Sequence, residues 1–208
     1  KNYIRDNTSL VIMQRSTGYS NRRAFTISEL KEAIDEVKRI NKNIKIFVDN
    51  CYGEFTELME PSELGIDIMA GSLIKNPGGG ISYTGGYVAG KSELVKRAAN
   101  ILTAPGIGKD CGLTFGMTRQ ILQGLFMSPK IVEDAIKGAM LFSKCFEELG
   151  FKTIPSSDDP RSDIVTAIEL KKPEILETFC KYIQFSSPVD SEFTPMPWDM
   201  PGYDDKVI

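Results

Sequence analysis

The chain has 208 residues, 41% of them apolar, which suffices for one large domain, or a domain and part of a second, and excludes wholesale disorder. Its 25 basic and 28 acidic side chains leave a formal charge of −3, so no bulk positive field exists to hold nucleic acid or an anionic membrane. Histidine is absent, which removes the Ser-His-Asp triad, the Cys-His dyad and every histidine-ligated metal site, and leaves acid–base work to Lys, Tyr, Cys, Asp and Glu.

In chain order, "SLVIMQ" (9–14) predicts a buried strand, and 15–26 a polar loop ending at Thr26. Thr26 with Glu29 three residues on forms a capping box, and Ile27, Leu30, Ala33, Ile34, Val37 and Ile40 follow at helical spacing. "IKIFVD" (44–49) is the next strand, so strand, helix and strand make a βαβ unit with parallel strands. "PSELG" (61–65) predicts a helical turn closed by Gly65, and "DIMAGSLI" (67–74) a third strand. "NPGGG" (76–80) predicts irregular chain, and "GGYVAGK" (85–91) a short strand. Ser92 caps a helix to about residue 103, and a glycine-rich connection fills 104–112. Helical sequence at 113–128 is followed by a second helix starting at Pro129 and reaching Leu149, with the Met and Phe stripe at 117–146 expected in the core. Residues 155–163 read as a polar linker, 164–170 as a strand, 173–185 as a helix and 186–205 as extended, proline-bearing chain. The fold class is therefore α/β to about residue 150, with mostly parallel strands, and a smaller α+β part from 151 to 208.

Ligands of parallel α/β sheets bind at the carboxyl ends of the strands, and both Asp49 and Lys75 stand at such ends. A carboxylate there holds a metal, pairs with a cation or caps a loop; only Glu54 offers a further hard ligand nearby, so the cation reading is preferred and no metal site is expected. Burial at a strand end would lower the pKa of Lys75 and make it a nucleophile toward carbonyls. The glycines at 78–80 let the backbone pass close to a bulky ligand, Pro77 restricts Asn76 to an extended shape, and Ser72 offers a hydroxyl for a phosphate. An aldehyde cofactor with a phosphate and a pyridine ring, pyridoxal 5′-phosphate, uses all of these groups. Lys75 forms its Schiff base, Asp49 faces the ring nitrogen, Tyr52 meets the phenolic oxygen and Ser72 helps with the phosphate. Plainer readings stand beside each. A lone strand-end lysine is commonly a solvated edge residue, a lone Asp a turn-former, Cys51 a small buried hydrophobe, and Tyr52 divides evenly between packing and cofactor contact. Arg15, Arg22 and Arg23 read as surface charge, with phosphate binding across a dimer interface as the alternative.

"VDNCYGEF", followed 26 residues after its Asp by "SLIKNPGGG", resembles the fold-type-I pyridoxal-phosphate enzymes. With "QRSTGYSNRRAFTISEL", "LTAPGIGKDCG" and "SPVDSEFTPMPWDMPGYDD", the chain more closely resembles the aluminium resistance protein, or methionine gamma-lyase and cystathionine beta-lyase-like, family over essentially its whole length. The resemblance implies a large pyridoxal-phosphate domain over 1–150, in part, and the start of a small C-terminal domain over 151–208. Lys75 is then the Schiff-base lysine and general base, Asp49 the pyridinium partner, and Tyr52 and Ser72 further cofactor contacts. It implies carbon–sulfur elimination from a sulfur-containing amino acid. Aminotransfer on the same cofactor, or a non-catalytic role linked to metal tolerance, are the alternatives. It further implies a homodimer or homotetramer, of which this chain is a middle portion lacking the phosphate loop and the substrate-carboxylate arginine. The cytoplasmic expectation comes from Cys51, Cys111, Cys145 and Cys180, which are far apart, make no C-x-x-C pair and suit a reducing compartment. Nothing in the sequence gathers hard ligands for aluminium itself.

Overall fold

The computed structural model describes residues 3–112 and 114–208, so the part of the expected 113–128 helix that falls on residue 113 lies outside the described residues. Four strands form one sheet: β1 (Leu10–Gln14), β2 (Lys45–Asp49), β3 (Ile68–Ser72) and β4 (Gly86–Gly90), in that order. The first three are parallel and β4 runs antiparallel to β3. The helices are α1 (Ile27–Ile40), α2 (Ser92–Leu102), α3 (Thr118–Glu148) and α4 (Pro173–Phe185). A second, two-stranded antiparallel sheet pairs β5 (Lys152–Ile154) with β6 (Ala167–Glu169).

Helix α1 begins as its sequence dictates. The Thr26 hydroxyl accepts the N–H of Glu29, and the Glu29 carboxylate accepts that of Thr26. Its stripe of Ile27, Leu30, Ile34 and Val37 packs on Ile44, Ile46 and Val48, with Leu64, Ile66 and Met69 completing the core. Side chains of a strand alternate between faces, so burial of Ile46 and Val48 against α1 turns Phe47 and Asp49 to the opposite face. At the amino end of the sheet, Asp67 is wholly buried between Lys91 (2.6 Å), the Ile46 N–H (2.9 Å) and Lys38 (3.0 Å). Burial alone would raise its carboxyl; these partners outweigh that and hold it well below the usual carboxylate range.

Several expectations need correction. Strand β1 is only half covered: Val11 and Met13 pack on the core, while Ile12 is 65% exposed. Residues 67–74 and 164–170 are strand only at 68–72 and 167–169. Ser92 is the first residue of α2 rather than its cap, and Lys91 in the cap position makes no side-chain cap bond. Asn76–Gly78 is a 3₁₀ turn, so Asn76 is not extended despite Pro77. Pro129 does not start a helix but lies inside α3, which runs unbroken for 31 residues. The backbone N–H that Pro129 lacks costs one interior bond, and packing on either side of it keeps the helix whole. The Met and Phe stripe is largely uncovered, with Phe126 at 87% exposure and Leu141 at 66%; Phe142 and Phe146 do cluster with Phe179 of α4. The 155–163 segment is not a free linker, because Ser157, Ser162 and Asp163 are buried within it. Among the described residues no helix is long and apolar enough to cross a membrane.

Candidate active site

The parallel register brings the strand ends level. Gln14 pairs with Asp49 and Asp49 with Ala70. Beyond that line the Arg15 N–H donates to the Asp49 carbonyl (3.0 Å) and the Asn50 N–H to the Ala70 carbonyl (2.9 Å). The chain then turns sharply. The Asp49 carboxylate accepts the Cys51 N–H (3.0 Å), and Tyr52 adopts a left-handed φ of 68° that an aromatic residue rarely takes. Asp49 is thus a turn-former.

Arg15 fills the space beneath this turn and is fully buried, so it is not surface charge. Its guanidinium donates to the Asn50 side chain (2.9 Å), the Gly53 carbonyl (2.9 Å), Thr56 (3.3 Å) and Glu57 (2.9 Å). Five donors in one rigid fork suit a loop that presents several acceptors at once. Arg22 instead caps the carbonyls of Gln14 and Ser16, and Arg23 pairs with Glu29.

Lys75 enters from β3 through Leu73 and Ile74. Its Nζ lies 4.1 Å from the centre of the Tyr52 ring. Asp49, Tyr52 and Lys75 line one cavity of about 440 Å³, together with Cys51 and Tyr19. Ser72 is not part of that lining; its Oγ accepts the Ile74 N–H (3.3 Å), leaving its own hydrogen free to donate. The cavity's far side comes from beyond β5. Asp163 accepts the Ser16 hydroxyl (2.6 Å) and the Val165 N–H (3.1 Å), which sets Val165 against the cavity.

The sign of the Lys75 shift is opposite to the sequence expectation. Burial does pull its pKa down, but the Tyr52 side chain and the nearby Cys51 and Asp49 outweigh that and hold it above the ordinary lysine value. The pocket therefore favours the ammonium form of Lys75. Burial and the Asp49 carboxylate push the Cys51 thiol up, so it is not poised as a nucleophile.

Behind the turn lies a buried carboxylate that the sequence offers only as a possible hard ligand beside Asp49. Glu54 is 4% exposed and accepts the Tyr87 hydroxyl (2.8 Å), while its second carboxylate oxygen is buried without a partner. Burial pushes its carboxyl up to about 7, against the opposing hydrogen bonds of its own backbone and Tyr87. The folded carboxyl therefore binds a proton between pH 4.5 and about 7, where an unfolded one does not. Stability from this group is present below that window and lost as pH rises through it, on the order of 3 kcal/mol. Urea unfolding of Glu54→Gln should show no such fall and should leave the variant the more stable above pH 7.

The structure thus defines an α/β protein whose parallel strands deliver a carboxylate, a phenol and a lysine to one cavity at their carboxyl ends. The model of the methionine gamma-lyase family matches residues 1–208, and the chain belongs to that family. YnbB, an uncharacterized protein of Bacillus subtilis (strain 168), is 46% identical over 205 residues, which are 99% of this chain and 49% of that one. A solved structure from Listeria monocytogenes, provisionally named a cystathionine beta-lyase involved in aluminium resistance, is 43% identical with a TM-score of 0.94 over 99% of this chain and 51% of its own. Aspartate aminotransferase of Thermus thermophilus, at 15% identity and a TM-score of 0.61 over 86% of this chain and 52% of its own, shares the fold alone. The chain spans about half the length of these relatives.

Proposed function

We propose that the complete protein is a fold-type-I, pyridoxal-phosphate-dependent carbon–sulfur lyase acting on a sulfur-containing amino acid. The observation that carries this reading is the meeting of Asp49, Tyr52 and Lys75 in one cavity of a methionine gamma-lyase family chain. The relative named for cystathionine beta-lyase supports the reaction class. The donor set fits the cofactor: a primary amine for an aldehyde, a carboxylate for a protonated ring nitrogen and a phenol for the ring's oxygen. Ser72, whose hydroxyl hydrogen is free at the end of β3, is assigned to the phosphate.

When bound, the cofactor supplies an electron sink for charge at the substrate's alpha carbon. Asp49 would pair with the protonated ring nitrogen and keep the proton there. Lys75 would hold the cofactor's aldehyde, and its Nζ, when free as an amine, would accept the alpha-carbon proton. The high proton affinity that Tyr52 confers on Lys75 favours that acceptance.

Borohydride reduction of the complete protein with pyridoxal phosphate, followed by tryptic mapping, tests this. Modified Lys75 resists cleavage, so the label should appear on the peptide Ile46–Lys91. Label absent from that peptide, or spread over surface lysines, would sink the assignment. Release of a keto acid and ammonia from a sulfur amino acid then identifies a lyase, whereas stoichiometric conversion of the cofactor to its amine form identifies an aminotransferase.

A further inference from the structure

Asn76 follows Lys75 directly and is 5% exposed. Its Nδ2 donates to two carbonyls across the site, those of Tyr52 (3.0 Å) and Glu54 (3.0 Å). Both partners only accept, so the amide can face them in one orientation alone; turning it over would set oxygen against oxygen. Its Oδ1 is meanwhile buried with no hydrogen-bond partner. A residue that only filled space would avoid that unsatisfied acceptor. The two donors are what the position requires.

The carbonyl that Asn76 grips belongs to the residue with the unfavourable φ of 68°. Such a backbone persists only where its surroundings over-determine it. The ring of that same Tyr52 lies 4.1 Å from Lys75 Nζ. The turn that carries the lysine therefore also carries the clamp on the lysine's aromatic neighbour. We infer that Asn76 is a positioning residue: by holding the Tyr52 backbone from the lysine's own turn, it fixes the Tyr52 ring over Lys75 Nζ. It acts on the amine through Tyr52 and touches neither the amine nor the reacting atoms. Of the other titratable groups near Lys75, Asp49, Cys51 and Tyr19 take no hydrogen bond from Asn76. Asp49 and Cys51 are tied to each other by the Cys51 N–H bond, and Tyr19 reaches the cavity from the loop after β1. Glu54, whose carbonyl Asn76 also holds, stands behind the turn with its carboxylate on the Tyr87 hydroxyl and outside the groups that shift Lys75.

This inference rests on the assignment of Lys75 only for its catalytic meaning, because the test is read on cofactor-free protein. The complete protein is stripped of cofactor, trace-labelled with acetic anhydride across the alkaline range, and the labelling midpoint of Lys75 is read by mass spectrometry. Asn76→Leu, close in shape but without donors, is compared with the parent, with Tyr52→Leu and with the double variant. Asn76→Ala serves as the second substitution at the position. The midpoint should fall by about half a pH unit in Asn76→Leu, as expected when a ring–cation contact is lost, and circular dichroism should stay native. The double variant should fall no further than Tyr52→Leu alone, the mark of two residues acting in series. A Lys75 midpoint unchanged in folded Asn76→Leu or Asn76→Ala, or additive shifts in the double variant, overturns the inference. So does an unchanged midpoint in Tyr52→Leu, which leaves the Asn76 side chain in place and is informative even if neither Asn76 variant folds. Failure of the borohydride label at Lys75 would instead strike the cofactor assignment and leave this result standing.

Discussion

Lys75→Ala in the complete protein should lose both the borohydride-stable attachment of pyridoxal phosphate within residues 46–91 and at least about 10⁴-fold in turnover. Loss of a positioned acid–base group alone accounts for about 10²–10⁴, and loss of the covalent anchor adds to it. The fold should barely register the change. Lys75 is half-buried and its Nζ lies against the Tyr52 ring rather than a buried carboxylate, so its truncation leaves no uncompensated buried charge. The cost in stability should stay within about 1 kcal/mol, as for other partly exposed side chains. Lys75→Arg should not rescue turnover: a guanidinium keeps its charge at any accessible pH and cannot condense with an aldehyde. Turnover measured with purified variant and added cofactor decides the matter; activity retained in Lys75→Ala would end the lyase assignment. Unfolding measured on the same samples separates a lost residue from a lost fold.

Much of this architecture could be read from residue order. The capping box at Thr26, the stripe on α1 and the apolar runs before Asp49 and Lys75 are local patterns, and local patterns survive folding. The position of Asp49 at a strand end, and of Lys75 three residues beyond one, follows from βαβ connectivity, because parallel strands end on one side of a sheet. What could not be read was which groups fold back over the site. Arg15 looked like one of three loop arginines, and only the close packing of residues 50–57 around it makes it the buried support of the turn. Its place one residue beyond β1, level with Asn50 beyond β2, was the available signal. The shift of Lys75 went the other way for a related reason. Spacing put the lysine at the edge of the core, which lowers its proton affinity, but placed no phenol, thiol or carboxylate beside it. The long stripe on α3 shows the limit of periodicity, which finds an apolar face and not what covers it.

The glycines after Lys75 carry the second large expectation. They read as room for a ligand, yet two of them, Gly78 and Gly79, lie against helix α3. A Cβ on Gly124 of α3 would fall 2.2 Å from the Gly78 carbonyl oxygen, and one on Gly79 would fall 2.5 Å from that of Gly124. The Asn76–Gly78 turn and α3 therefore meet backbone to backbone with no side chain between them. Gly124→Ala must push turn and helix apart. Overpacking of this kind costs about 1–3 kcal/mol, set against about 1 kcal/mol gained from better helix propensity. The net loss in stability is modest, and the functional loss should exceed it. Lys75 sits at the head of the displaced turn, and a shift of about 1 Å in a reacting group is worth about 10²-fold in rate. Gly138 supplies the control within the same helix. Nothing lies within 4 Å of a Cβ built there, so Gly138→Ala should raise stability by up to about 1 kcal/mol and leave turnover alone. Urea unfolding and turnover of the two variants in the complete protein give opposite signs if the backbone contact holds Lys75 in place. Equal behaviour of the two alanines would mean that α3 does not support the lysine's turn.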